Sequence, residues 1–159
     1  GHWVDEYTAD LMAERGTTYV PTLLVNERNF EVDPDLLQAS ETSWAWVQRA
    51  REDKWGSLER VRRAGVRIAV GTDAGFMVPH GSMNAREIEL LVQGGLSNIE
   101  ALEAATSAGA SLLGLSAGVV QVGARADLLL VEGDPTQDVR ILQDPARLRT
   151  FLAGVEFRG

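Results

Sequence analysis

The stretch from Val66 to Gly81, VRIAVGTDAGFMVPHG, constrains the fold more than any other part of the chain. Val66, Ile68, Ala69 and Val70 make an apolar run suited to a strand buried on both faces, as strands of parallel sheets are, with Gly65 and Gly71 bracketing it. The Asp73 carboxylate then stands at the C-terminal tip of that strand. In alternating strand and helix folds this end carries ligands and catalysis, because its loops are free to hold polar groups while the strands stay packed. Taken alone, Thr72-Asp73-Ala74-Gly75 reads equally well as a plain turn, since Asp favours turn starts and Gly supplies positive φ.

The flanking segments alternate in type. Val4 to Gly16 predicts a short helix with Asp5 as N-cap and Leu11 and Met12 on its buried stripe. Thr17 to Val25, TTYVPTLLV, reads as a strand; Pro21 cannot donate to a ladder and belongs at an edge, a bulge or a strand end. Asp33-Pro34 is a helix-start pair followed by Leu36 and Leu37. Trp44, Val47, Trp55, Leu58 and Val61 then keep helical spacing up to Gly65, which predicts a long surface helix broken near Ser40 to Ser43, its tryptophans serving packing. Lys54, the single lysine, falls in the middle of that helix.

After the central loop, Asn84 with Glu87 and Ser97 with Glu100 both read as capping boxes opening amphipathic helices, the second continuing to Gly114. Ala126 to Val131 predicts a strand ended by Gly133-Asp134-Pro135. Asp144-Pro145 is a plain break, and Leu148 to Ala153, Gly154 and Val155 to Phe157 predict a closing hairpin. Asp127 is expected to serve a turn rather than catalysis.

GTDAG, the loop Pro79-His80-Gly81, and the helices AREIELLVQGGLS and IEALEAATSAGASLLGL occur in that order, flanked by DEYTADLMAERGTTYVPTL and GARADLLLVEGDP. Together they resemble the C-terminal part of the amidohydrolase superfamily, in the branch of imidazolonepropionase-like and prolidase-like metal-dependent hydrolases. The resemblance covers nearly the whole chain. It implies an α/β fold in which residues 1–115 form about the last two strands and helices of a (β/α)8 barrel, Pro21 ending the seventh strand, and residues 116–159 form strands of a small β-sandwich. A complete barrel typically needs about 250 residues, and the chain has 159. The missing N-terminal barrel half is therefore an expected partner.

The resemblance also implies chemistry: hydrolysis of a C–N bond in a small amide, dipeptide or cyclic amide by a water that one or two divalent ions, zinc foremost, activate. Asp73 matches the aspartate of the eighth strand, a metal ligand that also carries a proton to the leaving amine. His80, seven residues on, is expected to contact substrate or position the loop, and reads equally as a residue that fixes the loop's fold; Phe76 and Met77 are expected at the pocket. The ligand on the preceding strand would lie before Gly1, so His2 is not expected to bind metal, and Gly1-His2 reads equally as a cloning remnant. With His2 and His80 as the only histidines, the chain falls short of the three protein ligands usual for catalytic zinc. Alone it is expected to hold no metal and to be inactive. The alternative is a truncated, non-catalytic fragment that packs or forms homo-oligomers through its exposed half-barrel surface.

A formal net charge of −8 and no basic cluster interleaved with aromatics argue against a nucleic-acid partner. No apolar run approaches the roughly 18 residues of a membrane helix, so no membrane partner is expected and a cytoplasmic location is. The absence of cysteine removes disulfides and thiolate metal sites from consideration.

Overall fold

The computed structural model describes residues 3–32, 40–75, 78–81 and 83–157. The expected helix start at Asp33-Pro34, with Leu36 and Leu37, lies outside them. Helix α1 (Glu6–Glu14) begins as its sequence dictates, with the Asp5 carboxylate accepting the Thr8 N–H at 2.8 Å and satisfying a donor that a helix start leaves free. It buries Ala9, with Met12 at the edge of the core, but turns the expected Leu11 outward.

Strand β1 (Thr18–Tyr19) pairs in parallel with β2 (Arg67–Ile68), Thr18 opposite Arg67 and Tyr19 opposite Ile68. Both strands are shorter than their sequences predict. The run from Thr17 to Val25 leaves the sheet at Pro21, Thr22 takes a left-handed conformation with φ 50° and ψ 52°, and helix α2 (Leu23–Glu31) starts at once. A left-handed β-branched residue redirects the chain so sharply that the apolar Leu23, Leu24 and Val25 enter the core from a helix. Ile68 of β2 and Ala69 just after it are buried but Arg67 is exposed, its guanidinium donating to Ser111 Oγ at 3.3 Å, so this strand is not covered on both faces.

Helix α3 (Glu41–Arg63) is the long helix its periodicity predicts, and Ser40 at the expected break caps it by accepting the Ser43 N–H at 3.2 Å. Ala50, Lys54, Ser57, Leu58 and Val61 form its buried stripe. Two of its tryptophans pack, Trp55 against the core and Trp44 with its ring 5.0 Å from that of Phe30, whereas Trp46 is exposed. Helix α4 (Asn84–Gln93) lacks the predicted capping box, because Met83 occupies its N-cap position without a side-chain bond and Glu87 is engaged elsewhere. Helix α5 (Asn98–Ala105) has the box predicted for Ser97 and Glu100, but the helix expected to run to Gly114 breaks at Thr106 and resumes as α6 (Ser107–Leu112). At the break the backbone of Gly118 comes so close that a Cβ there would stand 2.7 Å from the Thr106 carbonyl.

Strands β3 (Leu128–Val131), β4 (Leu148–Leu152) and β5 (Val155–Phe157) form an antiparallel sheet in that order. The predicted hairpin closes through Ala153 and Gly154, whose φ of 50° and 81° suit the tight turn that right-twisted strands require. Asp127 accepts the Ala153 N–H at 2.8 Å, the structural role expected of it. Asp144-Pro145 begins a 3-10 turn (Pro145–Arg147) rather than a plain break, after another over Val139–Gln143.

The core lies where α2, α3 and α4 meet the paired strands, around Leu23, Leu24, Leu58, Val61, Leu90 and Leu91. Each such side chain contributes about 1.5–3 kcal/mol through burial, enough together to hold two short strands in register. Among the described residues no helix is long and apolar enough to cross a membrane.

Candidate active site

Gly71 brings the tips of β1 and β2 together. A Cβ there would stand 2.5 Å from Val20 Cγ1 and 3.7 Å from Thr22 Cγ2, so only glycine lets the second tip pass this close to the first. Val70 ties the same tip to α5 by donating its N–H to the Ala104 carbonyl at 3.0 Å. Two residues beyond Gly71, Asp73 is exposed with φ 53°, a left-handed conformation that Asp tolerates better than most residues. Its carboxylate is thus presented on the loop that follows β2, five residues beyond the strand's last residue, Ile68, rather than at the strand tip itself.

The loop beyond is folded by the Gly75 N–H, which donates to the Val78 carbonyl at 2.8 Å, and anchored by the buried Val78. His80 is exposed two residues later, and no hydrogen bond joins it to Asp73. His2, Phe76 and Met77 lie outside the described residues.

Behind the two tips is a buried polar cluster that sequence reasoning missed. Glu87 is fully buried, and its two carboxylate oxygens accept the N–H groups of Leu23 at 2.9 Å and Leu24 at 2.7 Å, the first two residues of α2. Lys54, also buried, reaches from the middle of α3 to the tip of β1, its ammonium donating to the Thr22 carbonyl at 2.6 Å and to Thr22 Oγ1 at 2.9 Å. It lies in mid-helix as expected, but its charge is delivered to the turn that follows β1. Burial pulls Lys54 below the usual ammonium range, while the nearby carboxylates of Glu87 and Asp73 hold its proton on. Burial likewise pushes Glu87 up to about 7, against the pull of the two backbone N–H groups and of Lys54. One turn along α2, Glu27 accepts Arg51 Nε at 2.7 Å, Arg51 Nη2 at 2.9 Å and Trp55 Nε1 at 2.8 Å, locking α2 to α3.

A signal for this cluster was available. Lys54 is four residues from both Ala50 and Leu58, in the centre of an otherwise uncharged stripe. Glu87 sits one turn before Leu90 and Leu91 on the buried face of α4. A charge inside a core stripe needs partners, and these were findable as a pair.

A cavity of about 590 Å3 opens between the tip of β2 at Val70, Gly71 and Thr72 and the sheet at Leu128, Leu129 and Val131; its wall includes neither Asp73 nor His80. Among the described residues no three His, Cys, Asp or Glu side chains converge as they would on a metal ion.

The sequence profile described as the amidohydrolase family matches residues 3–156. The chain is 31% identical over 162 residues to ochratoxinase of Aspergillus niger, a match covering 99% of this chain and 32% of that protein. Among solved structures, a Xaa-Pro dipeptidase with methionine bound in its active site superimposes with a TM-score of 0.85 at 29% identity, over 100% of this chain and 39% of that one. A prolidase complexed with N-methylphosphonate-L-proline gives 0.84 at 30% identity, over 98% and 38%. The chain spans about a third of the length of the curated relative it matches.

Proposed function

The chain belongs to the amidohydrolase family, and on that premise we propose that it forms part of a hydrolase cleaving a carbon–nitrogen bond in a small amide, dipeptide or cyclic amide. In this reading residues 1–115 supply the last two barrel strands and residues 116–159 supply strands of the adjoining sandwich, with the rest of the barrel contributed by chain beyond these residues. The observation that carries it is the position of Asp73, exposed in a left-handed conformation on the loop that leaves the C-terminal end of β2. The likeness to a dipeptidase and a prolidase supports the substrate class.

Asp73 would be this chain's ligand to one or two divalent ions, zinc foremost, which in such hydrolases lower the pKa of a bound water and polarise the carbonyl. Its own chemistry is proton transfer. A carboxylate oxygen takes the proton released by the attacking water and passes it to the departing amine nitrogen, so the leaving group departs neutral. His80, on a loop anchored by Val78, contacts the substrate.

The test is hydrolysis of a panel of Xaa-Pro dipeptides, N-acyl amino acids and cyclic amides by the protein expressed from its full reading frame with zinc. Turnover that chelation abolishes and metal restores is expected. No turnover of any member by metal-loaded, folded protein would contradict the reading.

A second reading, a non-catalytic fragment that packs or oligomerises, is favoured by strand β3, which exposes apolar side chains on both of its faces. Leu129 and Leu130 are 50% and 54% exposed, and both sheets have open edges, which invite pairing with other chains.

A further inference from the structure

Thr22 and Asp73 lie in the segments that follow the paired strands β1 and β2, and both are non-glycine residues held at left-handed φ, 50° and 53°. Such conformations cost roughly 1–3 kcal/mol each and persist only where the surroundings over-determine them. Around Thr22 the surroundings do so. Lys54 binds its carbonyl and its hydroxyl together, which fixes the backbone and the side-chain rotamer at once, and Glu87 takes the next two N–H groups along the chain. Neither group is satisfied by a neighbour in sequence: Lys54 lies 32 residues from Thr22 and Glu87 lies 64 from Leu23. The ammonium also sits within the electrostatic reach of Asp73, and a Cβ added at Gly71 would stand 3.7 Å from Thr22 Cγ2, so the two segments run side by side. Disturbing the first tip therefore moves the floor on which Asp73 stands.

Resting on the functional reading above, we propose that Lys54 and Glu87 form a buried clasp on the Thr22 turn that sets the position of the Asp73 carboxylate, making both of them positioning residues for the hydrolytic reaction. A cation and an anion drawn into a core at a cost in desolvation are poor sources of net stability. Here they hold one turn in one geometry beside the reacting group.

The experiment uses the protein from its full reading frame, zinc-loaded, with the panel member it hydrolyses fastest. Lys54→Met and Glu87→Gln are compared with Val61→Ala, a core substitution on the same face of α3. The clasp predicts that amide hydrogen exchange at Leu23 and Leu24 quickens in both clasp variants while β3 to β5 stay protected. It predicts a fall in kcat of about 10- to 100-fold, as expected for a reacting group displaced by about 1 Å, with KM and bound zinc within about twofold of the parent. Val61→Ala, destabilised to a comparable Tm, keeps its kcat. Parental kcat in Lys54→Met, or an equal loss in Val61→Ala, would overturn the proposal. If the parent hydrolyses nothing, the functional reading fails, and the exchange data decide the clasp by themselves: unchanged exchange at Leu23 and Leu24 would overturn it.

Discussion

The carboxylate of Glu87 accepts the backbone N–H of Leu24 at 2.7 Å across 63 residues of sequence. Helix α2 has no side-chain cap of its own, since Thr22 is turned away in a left-handed conformation. A carboxylate from α4 serves instead, at the helix end where negative charge is favoured. The chain can leave β1 abruptly and still satisfy the first N–H groups of the helix that follows.

Removing this cap should be costly. Glu87→Ala strands two buried donors and opens a cavity, a loss of about 3 kcal/mol. Glu87→Gln keeps the shape and one acceptor and should lose about 1 kcal/mol. Urea unfolding followed by tryptophan fluorescence measures both, and equal stability of the parent and the alanine variant would be inconsistent with the observed bonds.

The same residue gives stability a pH dependence. Burial raises Glu87 from 4.5 to about 7. The folded state therefore holds this proton more tightly than the unfolded chain, so its contribution is complete below pH 4.5 and is lost as the pH rises through 7. A shift of this size corresponds to about 3 kcal/mol. The unfolding free energy should decline across that window in the parent, and the decline should be absent in Glu87→Gln. Asp138, held at about 2 by Arg140, acts in a separate window below its ordinary 3.8. Identical slopes for parent and variant between those limits would refute the assignment.

The sequence displayed the fold's periodic parts and concealed its tertiary polar contacts. The stripe of α3, the caps at Asp5 and Ser97 and the hairpin at Gly154 depend on neighbours a few residues away, so spacing revealed them. The strand expected through Val25 failed because helix α2 is started by Glu87, a residue far along the chain, and β-branched and apolar residues cannot by themselves tell a buried strand from a buried helix. Glu87 was assigned to a local cap at Asn84 for the same reason: the pattern Asn-x-x-Glu carries no sign of a competing partner. The glycines around Asp73 marked a loop after β2 without telling a turn from a site, and the polar contacts behind it required seeing Lys54 and Thr22 on adjacent elements.

Two glycines should respond oppositely to alanine. At Gly71 the added methyl meets Val20 Cγ1 at 2.5 Å, on a packed strand tip, and forcing the tips apart should cost about 1–3 kcal/mol. At Gly56, inside α3, its nearest neighbours are the Arg60 guanidinium nitrogens at 3.2 Å, the far end of a flexible side chain that need yield only slightly while its Nε–H keeps its bond to the Val4 carbonyl, so the variant should gain about 0.5–1 kcal/mol from helix propensity. Thermal melts of both variants check this. A destabilised Gly56→Ala beside an unaffected Gly71→Ala would show the strand tips to be further apart than described.

The 159-residue chain by itself should bind no stoichiometric zinc after dialysis and should self-associate, because Asp73 has no convergent partners among the described residues and both sheets have open edges. Metal analysis and size-exclusion chromatography with light scattering measure this. A sharply melting monomer carrying one tight zinc that is lost on changing Asp73 would contradict it.

That Asp73, on the loop beyond β2, carries the chemistry is put to the test by Asp73→Asn in the protein expressed from its full reading frame. Asparagine accepts the left-handed backbone of this position, so the fold should survive while the charge and the proton acceptor are lost. Turnover of the best substrate, measured with bound zinc on the same samples, should fall by about 10²- to 10⁴-fold. Near-parental turnover at full metal occupancy would contradict the account and leave Thr72-Asp73-Ala74-Gly75 as no more than a turn.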